Sequence, residues 1–169
     1  HIWELFGALA SGVPLHILTR EDILNLGVLI NYLNQNKVSR LVLVPSLLKV
    51  VLKHLRNENR DLPHLKYWIC SGEVLTSEIT HEFYQLFSGT EHKLLNIYGS
   101  TEVSADATCF DTSVYLGGTL NSDRYAYRIP IGKPISNTKI YIVGKNNEIC
   151  PMGVTGEILV TGDGVADGY

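Results

Sequence analysis

Apolar residues recur at two different spacings over the first two-thirds of this 169-residue chain, and each spacing predicts a different kind of element. Apolar positions three or four residues apart are typical of one face of a helix. This spacing predicts helices over Trp3–Ser11, Glu21–Gln35, Leu47–Arg56 and Ser77–Phe87. Short unbroken apolar runs are typical of strands that are covered on both faces. Such runs predict strands over Leu15–Leu18, Leu41–Val44, Tyr67–Cys70 and Lys93–Ile97.

The order of these elements predicts an α/β fold. Strands that alternate with helices form a parallel sheet with flanking helices, because each crossover returns the chain to the same edge. Ligands of such proteins bind where the carboxyl ends of the parallel strands meet. The strands that end at Val44, Cys70 and Ile97 are therefore expected to open onto one binding site.

The pattern changes after Asp111. Gly117 and Gly118 mark a loop, and the segments Lys139–Val143 and Glu157–Thr161 are typical of antiparallel strands joined by a turn-rich connection. We expect these strands to form part of a small β-barrel. The change predicts a boundary near residues 112–130, with an α/β subdomain over 1–111 and a loop and barrel segment over 112–169.

Charge and composition narrow the class of protein. The net charge is −3 without a basic stripe, which argues against nucleic acid or an anionic membrane as partner. No apolar stretch is long enough to span a bilayer, and no signal peptide is visible. The three cysteines form no Cys-x-x-Cys motif and the six histidines have no ligand spacing, so we expect a cytoplasmic protein without a zinc site of its own.

The most informative segment is Asn96-Ile97-Tyr98-Gly99-Ser100-Thr101-Glu102, at the end of the last predicted parallel strand. An amide, an aromatic ring, hydroxyls and a carboxylate at one sheet edge could stack on a base, contact phosphate and bind a cation. The same residues could equally form a polar turn in which Gly99 adopts an unusual φ. The spacing alone leaves both interpretations open.

The segment resembles the Tyr-Gly-x-Thr-Glu motif of the adenylate-forming (ANL) superfamily, which includes nonribosomal peptide synthetase adenylation domains, acyl-CoA synthetases and luciferases. Further segments resemble that family's motifs in order and spacing, and the peptide synthetase branch is the most similar. They are Trp3-Glu4-Leu5-Phe6-Gly7-Ala8-Leu9, Ser71-Gly72-Glu73-Val74-Leu75, Ile131-Gly132-Lys133-Pro134-Ile135, and Gly156-Glu157-Ile158-Leu159-Val160 through Gly168-Tyr169.

The resemblance implies an ATP-dependent ligase that converts an amino acid to an aminoacyl-AMP and passes it to the phosphopantetheine thiol of a peptidyl carrier protein. It also implies an internal fragment of a longer domain. The family's phosphate loop, ribose-binding aspartate and catalytic lysine are expected outside this chain, so the isolated fragment is expected to be inactive.

The resemblance further assigns a role to each site residue. Tyr98, with Gly99 of its motif, is implied to stack on adenine, while Asn96 reads the exocyclic amine of the base. The backbone of Ser71, Gly72 and Glu73 is implied to flank that base. Thr101 is implied to contact the α-phosphate and Glu102 to ligate Mg²⁺, both as catalytic residues. A single carboxylate together with phosphate oxygens and water is a common way to hold Mg²⁺.

By the same resemblance, the pocket for the substrate side chain is lined by scattered positions, among them a carboxylate. A buried carboxylate in an apolar lining is costly unless it meets a cation, so Asp106 suggests a substrate amine at that depth. The set resembles the pocket of β-alanine-activating domains, which predicts β-alanine or a similar β-amino acid. The implied lining is Trp3, Val42, Ile69, Ser71, Ile97, Ala105 and Asp106.

Three alternatives remain open at this point. Asp106 could face solvent, cap a turn or read a polar α-amino acid side chain. The chain could belong to an acyl or aryl acid–CoA ligase of the same superfamily, whose substrate has no amine for Asp106 to pair with. It could also be a catalytically degenerate nucleotide-binding module.

Overall fold

The computed structural model describes residues 2–115 and 129–168. Its helices are α1 (Ile2–Ala10), α2 (Arg20–Leu24), α3 (Leu26–Gln35), α4 (Pro45–Asn57) and α5 (Ser77–Leu86). Its strands are β1 (Arg40–Leu43), β2 (Tyr67–Cys70), β3 (Lys93–Tyr98), β4 (Thr108–Asp111), β5 (Lys133–Pro134), β6 (Thr138–Val143) and β7 (Glu157–Gly162). Short 3₁₀ turns span Thr101–Val103 and Thr112–Tyr115.

The larger sheet has the order β1-β2-β3-β4-β5, and β1, β2 and β3 run parallel as predicted. The α/β fold with a mostly parallel sheet and flanking helices is confirmed. Two further strands that the sequence did not predict, β4 and β5, extend the sheet with antiparallel pairings. The hairpin from β3 to β4 carries the motif Tyr98–Glu102 in its connecting turn, so the candidate site lies where the sheet changes from parallel to antiparallel.

Two of the predicted elements are wrong. The helix predicted over Glu21–Gln35 divides at Asn25, because the Asn25 side chain accepts the Val28 N–H at 3.2 Å and thereby starts a new helix. The strand predicted over Leu15–Leu18 does not form. That segment has no strand partner in the described sheets, and Ile17 is 81% exposed. Its apolar residues give a strand pattern, yet a strand needs a neighbour to satisfy its backbone.

The core lies between one face of the parallel strands and helices α4 and α5. Trp68, Leu94 and Phe83 are fully buried there, and the Trp68 and Phe83 rings meet edge to face with centroids 5.6 Å apart. Burying each such side chain contributes roughly 1.5–3 kcal/mol. This packing fixes β2 and β3 side by side, so their carboxyl ends are held in one place for the site.

The register of the strands separates two faces of the sheet. Val42 pairs with Ile69, and Ile69 pairs with Leu95, so these side chains share a face with Ile97, two residues along β3. The core residues Trp68 and Leu94 and the site residue Asn96 project from the opposite face. The predicted pocket residues of the strands therefore lie together on the side that is turned away from the α4–α5 core.

The smaller sheet is the antiparallel pair β6 and β7, in register from Thr138 opposite Gly162 to Val143 opposite Glu157. This confirms the antiparallel strands predicted for the second part of the chain, while the closed barrel stays a prediction. The boundary near residues 112–130 also stays a prediction, since residues 116–128 lie outside the described ranges. Among the described residues, no helix has both the length and the apolar character needed to cross a lipid bilayer.

Candidate nucleotide and substrate site

The turn between β3 and β4 is held closed by its own backbone. The Ala107 N–H donates to the Tyr98 carbonyl at 2.8 Å, and the Ala105 N–H donates to the Ser100 carbonyl at 2.9 Å. A Cβ at Gly99 would lie 2.0 Å from the Ala105 carbonyl oxygen, so only glycine fits there. Since the turn closes on itself, Thr101 and the residues around it keep a fixed position relative to β3.

The site groups of this turn are exposed at the end of the sheet. Tyr98 is 40% exposed at the end of β3, and Thr101 and Glu102 are exposed on the 3₁₀ turn that follows it. The structure therefore brings an aromatic ring, a hydroxyl and a carboxylate together at the carboxyl end of one strand. This is the arrangement that the motif predicted, and each group is accessible to a ligand.

The turn also contacts the segment after β7. The Ser104 hydroxyl donates to the Gly164 carbonyl at 2.8 Å, and the Ala166 N–H donates to the Glu102 carbonyl at 2.8 Å. Ser104 has a left-handed backbone, with φ 57°, which turns its side chain toward that segment. The backbone position of Glu102 therefore depends on residues more than sixty positions later in the chain.

Asn96 is the buried member of the site, with 5% of its surface exposed. Its Nδ2 group donates to the Pro130 carbonyl at 2.9 Å. Because a carbonyl oxygen only accepts, this bond assigns the nitrogen side of the amide to Pro130 and leaves Oδ1 as the acceptor of the amide. An acceptor is the group that an exocyclic amine of a purine requires.

The second predicted segment, Ser71–Glu73, lies at the same sheet edge. The Ser71 N–H donates to the Leu43 carbonyl at 3.3 Å, and Gly72 adopts φ +86° where the chain leaves β2. The Glu73 carboxylate accepts from both the backbone N–H and the hydroxyl of Ser46, each at 3.0 Å. The Glu73 side chain thus caps the first turn of α4, which leaves the backbone of the segment as its candidate base contact.

The residues predicted to line the substrate pocket fall into three places. Val42, Ile69 and Ile97 lie on one face of the sheet, where Ile69 is 6% exposed. Ser71 follows that face at the end of β2, and Ala105 and Asp106 lie in the β3–β4 turn. Trp3 belongs to α1, and its side chain lies outside the described residues. Sheet pairing and the turn geometry thus bring the members on β1, β2 and β3 to the edge at which Asp106 lies.

Asp106 is half-buried, and its electrostatics differ from those of a surface aspartate. Burial raises the pKa of the Asp106 carboxyl, and the nearby carboxylate of Glu4 on α1 adds to this rise. Both causes act against the charged form. A ligand cation beside Asp106 would offset the effect of burial and the repulsion from Glu4, so the position is suited to an ammonium group.

Metal binding at this edge would rest on few protein ligands. Over residues 2–115 and 129–168, no group of three or more His, Cys, Asp or Glu side chains is placed to hold a metal ion. The exposed Glu102 supplies one carboxylate at the turn. A single carboxylate fits Mg²⁺ that takes its other ligands from phosphate and water.

Two contacts of the site were missed by the sequence analysis. Pro130 lies 34 positions from Asn96, and Ser46 lies 27 positions from Glu73. No local pattern links residues so far apart. The only available signal was indirect: Pro130 directly precedes the segment Ile131–Ile135 that resembles a family motif, which indicated that the region belongs to the site.

Comparison with known proteins agrees with this geometry. The family model described as AMP-binding enzyme matches residues 1–169. The beta-alanyl-bioamine nonribosomal peptide synthetase ebony of Drosophila melanogaster is 34% identical over 173 residues, which cover 99% of this chain and 19% of ebony. Tyrocidine synthase 3 of Brevibacillus parabrevis is 32% identical over 168 residues, covering 99% of this chain and 2% of that protein. The chain therefore spans less than a fifth of the length of these relatives.

Solved structures reproduce the fold. The crystal structure of CmiS6 superposes with a TM-score of 0.82 at 23% identity and covers 96% of this chain and 37% of CmiS6. At this identity the likeness concerns the fold. It places the mixed sheet and its flanking helices in a known arrangement.

Proposed function

The chain belongs to the AMP-binding enzyme family of the adenylate-forming superfamily, and we propose that it is the part of an amino acid adenylation domain that holds the adenine and the acyl substrate. The observation that carries the proposal is the β3–β4 hairpin. Its strand and turn place the Asn96 amide, the Tyr98 ring, the Thr101 hydroxyl and the Glu102 carboxylate at one sheet edge, beside the half-buried Asp106.

The proposed reaction joins a carboxylate to a nucleotide. A carboxylate oxygen of the amino acid attacks the α-phosphorus of ATP, the bond from that phosphorus to the β-phosphate bridging oxygen breaks, and pyrophosphate leaves. The product is an aminoacyl-AMP. Two anions must approach each other, so the site needs hydrogen-bond donors and positive charge near the α-phosphate. In the next step a carrier-protein thiol attacks the acyl carbon and AMP leaves.

The residues of this chain then have distinct tasks. Tyr98 stacks on the adenine, Asn96 accepts a hydrogen bond from its exocyclic amine, and the backbone of Gly72 and Glu73 borders the base. The Thr101 hydroxyl donates to an α-phosphate oxygen. Glu102 would hold Mg²⁺, which when bound neutralises phosphate charge.

The proposed substrate is β-alanine or a similar β-amino acid. The pocket face formed by Val42, Ile69 and Ile97 is apolar, and Asp106 adds a carboxylate whose burial disfavours its charge unless a cation is near. An ammonium group one methylene farther from the carboxyl than in an α-amino acid supplies that cation at this depth. The 34% identity to ebony, which is named as a beta-alanyl-bioamine synthetase, supports the same substrate.

The proposed partner for the second step is a peptidyl carrier protein with a phosphopantetheine thiol. The support is the likeness to ebony, which is named as a nonribosomal peptide synthetase, and to tyrocidine synthase 3. We place the reaction in the cytoplasm, where ATP and reduced thiols are available, and the free cysteines Cys70, Cys109 and Cys150 agree with a reducing compartment.

The test is an amino acid panel in ATP–pyrophosphate exchange with the intact protein that contains this chain. We expect β-alanine to give the highest exchange rate among the amino acids tested. We expect Asp106→Ala to lower kcat/KM for β-alanine by about 100-fold or more, because an unpaired buried ammonium costs roughly 3 kcal/mol or more. The matched control is Asp163→Ala, which removes an exposed aspartate and is expected to leave kcat/KM unchanged.

Three results would contradict the proposal. Full exchange by Asp106→Ala would show that Asp106 does not hold the substrate amine, and activation of fatty or aryl acids for coenzyme A instead of amino acids would favour the acyl ligase. If none of the carboxylic acids tested supports exchange, the protein would be a degenerate nucleotide-binding module.

A further inference from the structure

A short segment, residues 129–132, crosses the sheet edge behind Asn96 and is held there by contacts with both strands and loops. The Ile129 N–H donates to the Leu75 carbonyl at 3.0 Å, and the Ile129 side chain is 5% exposed within the core. Gly132 has φ +90°, and a Cβ there would lie 2.0 Å from the Cys109 carbonyl oxygen. The 129–132 segment is therefore packed against its surroundings on both sides.

Thr108 anchors the middle of this segment. Its hydroxyl donates to the Ile131 carbonyl at 2.6 Å, and the residue is 1% exposed. Thr108 lies on β4 directly opposite Tyr98, so it belongs to the same hairpin as the site, but its side chain is buried and bonded to Ile131. Through Ile131 it holds the adjacent Pro130 carbonyl, which accepts from Asn96.

The Pro130 carbonyl determines which way the Asn96 amide faces. In the observed orientation Nδ2 donates to it at 2.9 Å. The flipped amide would place Oδ1 and the carbonyl oxygen, two acceptors, at that distance within a buried environment, which is strongly unfavourable. A proline also supplies no N–H that could rescue the flipped orientation. The bond to Pro130 therefore fixes the side of the amide on which Oδ1 lies, so Oδ1 is held as an acceptor facing away from Pro130, while Nδ2 keeps one further hydrogen.

We infer that the Pro130 carbonyl, held by Thr108 through Ile131, is a specificity device that makes this site select a purine with an exocyclic amine over one with a carbonyl at the same position. The inference rests on the proposed function, since it requires Asn96 to face the base. Thr108 acts as a positioning residue: it contacts no nucleotide and works through the backbone that it holds.

The first test uses the unmodified intact protein and two nucleotides. ATP carries an amine on the purine ring where ITP carries a carbonyl, so we expect ATP to bind about tenfold more tightly in isothermal titration calorimetry, the value of about one net hydrogen bond. Equal binding of ITP, or tighter binding, would overturn the inference, because it would mean that the amide faces the base with its donor.

The second test measures the same ATP-to-ITP affinity ratio in variants of Thr108. Thr108→Val removes the hydroxyl at nearly constant shape, and we expect the ratio to fall to about threefold or less as the Pro130 carbonyl loses its support. Thr108→Ser keeps the hydroxyl and is expected to keep the ratio of the unmodified protein.

A matched control separates positioning from general loss of stability. Thr112 is also fully buried, and its hydroxyl also donates to a backbone carbonyl, that of Leu94 at 2.8 Å, away from the 129–132 segment. We expect Thr112→Val to lower the melting temperature without changing the ATP-to-ITP ratio. An equal fall of the ratio in Thr112→Val, or an unchanged ratio in Thr108→Val, would overturn the inference.

The outcomes also separate this inference from the proposed function. If folded Thr108→Val binds ATP with an unchanged ATP-to-ITP affinity ratio, the inference is wrong but the proposed function still stands. If Thr108→Val does not fold, the comparison of ATP with ITP in the unmodified protein still decides the orientation of the amide. An intact protein that binds neither nucleotide would contradict the proposed function and the inference together.

Discussion

At the scale of single residues, the electrostatics of Asp106 bear most directly on the proposed substrate, because its charged form is disfavoured where it lies. Its carboxyl is half-buried, Glu4 lies near it, and both raise its pKa. A residue that a protein keeps in such a place destabilises the folded chain when charged, unless something positive pairs with it. The proposed substrate ammonium would pair with this carboxylate, whereas a neutral residue at this position would avoid the cost of burying a charge.

The sign of this effect gives a prediction for Asp106→Asn. The folded-state pKa lies above the ordinary value, so the native protein holds more protons than the unfolded chain in the window between them, and stability falls as pH rises through that window. At pH values above this window, the full destabilisation from the charged Asp106 carboxylate remains. We expect Asp106→Asn to raise the melting temperature of the substrate-free intact protein at about pH 7 and to raise it less at about pH 4, where aspartate protonates.

The measurement is differential scanning calorimetry at both pH values, with Asp163→Asn as the control that removes the same charge from an exposed site. A lower melting temperature for Asp106→Asn at about pH 7 would mean that Asp106 is stabilised by a partner in the protein and is not reserved for a ligand.

At the scale of elements, the first turn of α4 is bonded to the segment Ser71–Glu73, which is proposed to flank the adenine. The residue that precedes the helix, Val44, offers no capping side chain, and Glu73 supplies the missing acceptor from the next strand end. The helix and the Ser71–Glu73 segment are therefore fixed to each other. A carboxylate at a helix N-terminus is also favoured by the helix dipole.

We predict that Glu73→Ala loosens this joint. Loss of a cap costs about 1 kcal/mol, which corresponds to roughly fivefold faster opening of the bonds that it protects. Hydrogen exchange of peptides covering residues 45–50 of the intact protein measures this directly. Glu91→Ala removes another exposed carboxylate, one that pairs with Lys66 at 2.9 Å, and it is expected to leave those peptides unchanged. Unchanged exchange in Glu73→Ala would mean that the contact with Ser46 does not hold the turn.

The elements also show what periodicity could and could not predict. The parallel strands β1, β2 and β3 were predictable because each contains a short apolar run, and in β2 the run Trp68-Ile69-Cys70 is buried throughout. β4 was not, because its sequence Thr-Cys-Phe-Asp has polar residues at both ends and no long apolar run, and only its pairing with β3 makes it a strand. The break at Asn25 was missed for a related reason: apolar spacing continues across it, and the capping side chain alone starts a new helix.

At the scale of the whole molecule, the candidate site joins parts that are distant in sequence. The turn after β3 was predictable because its chemistry is contiguous, from Asn96 to Asp106. The 129–132 segment behind Asn96 and the segment after β7 that binds the Glu102 backbone were not, since only the folded chain brings them together. The turn after β3 thus contacts the segment that follows the smaller sheet, so a shift of that segment would move the backbone of Glu102.

The most direct test of the central claim follows an oxygen atom. The intact protein is incubated with ATP, Mg²⁺ and β-alanine labelled with ¹⁸O in its carboxylate, hydroxylamine is added to cleave the acyl bond, and the AMP is analysed by mass spectrometry. If the substrate carboxylate attacks the α-phosphorus, one labelled oxygen remains on AMP, and its mass rises by two units. Unlabelled AMP, or ADP as the only nucleotide product, would contradict the assignment of this chain to amino acid adenylation.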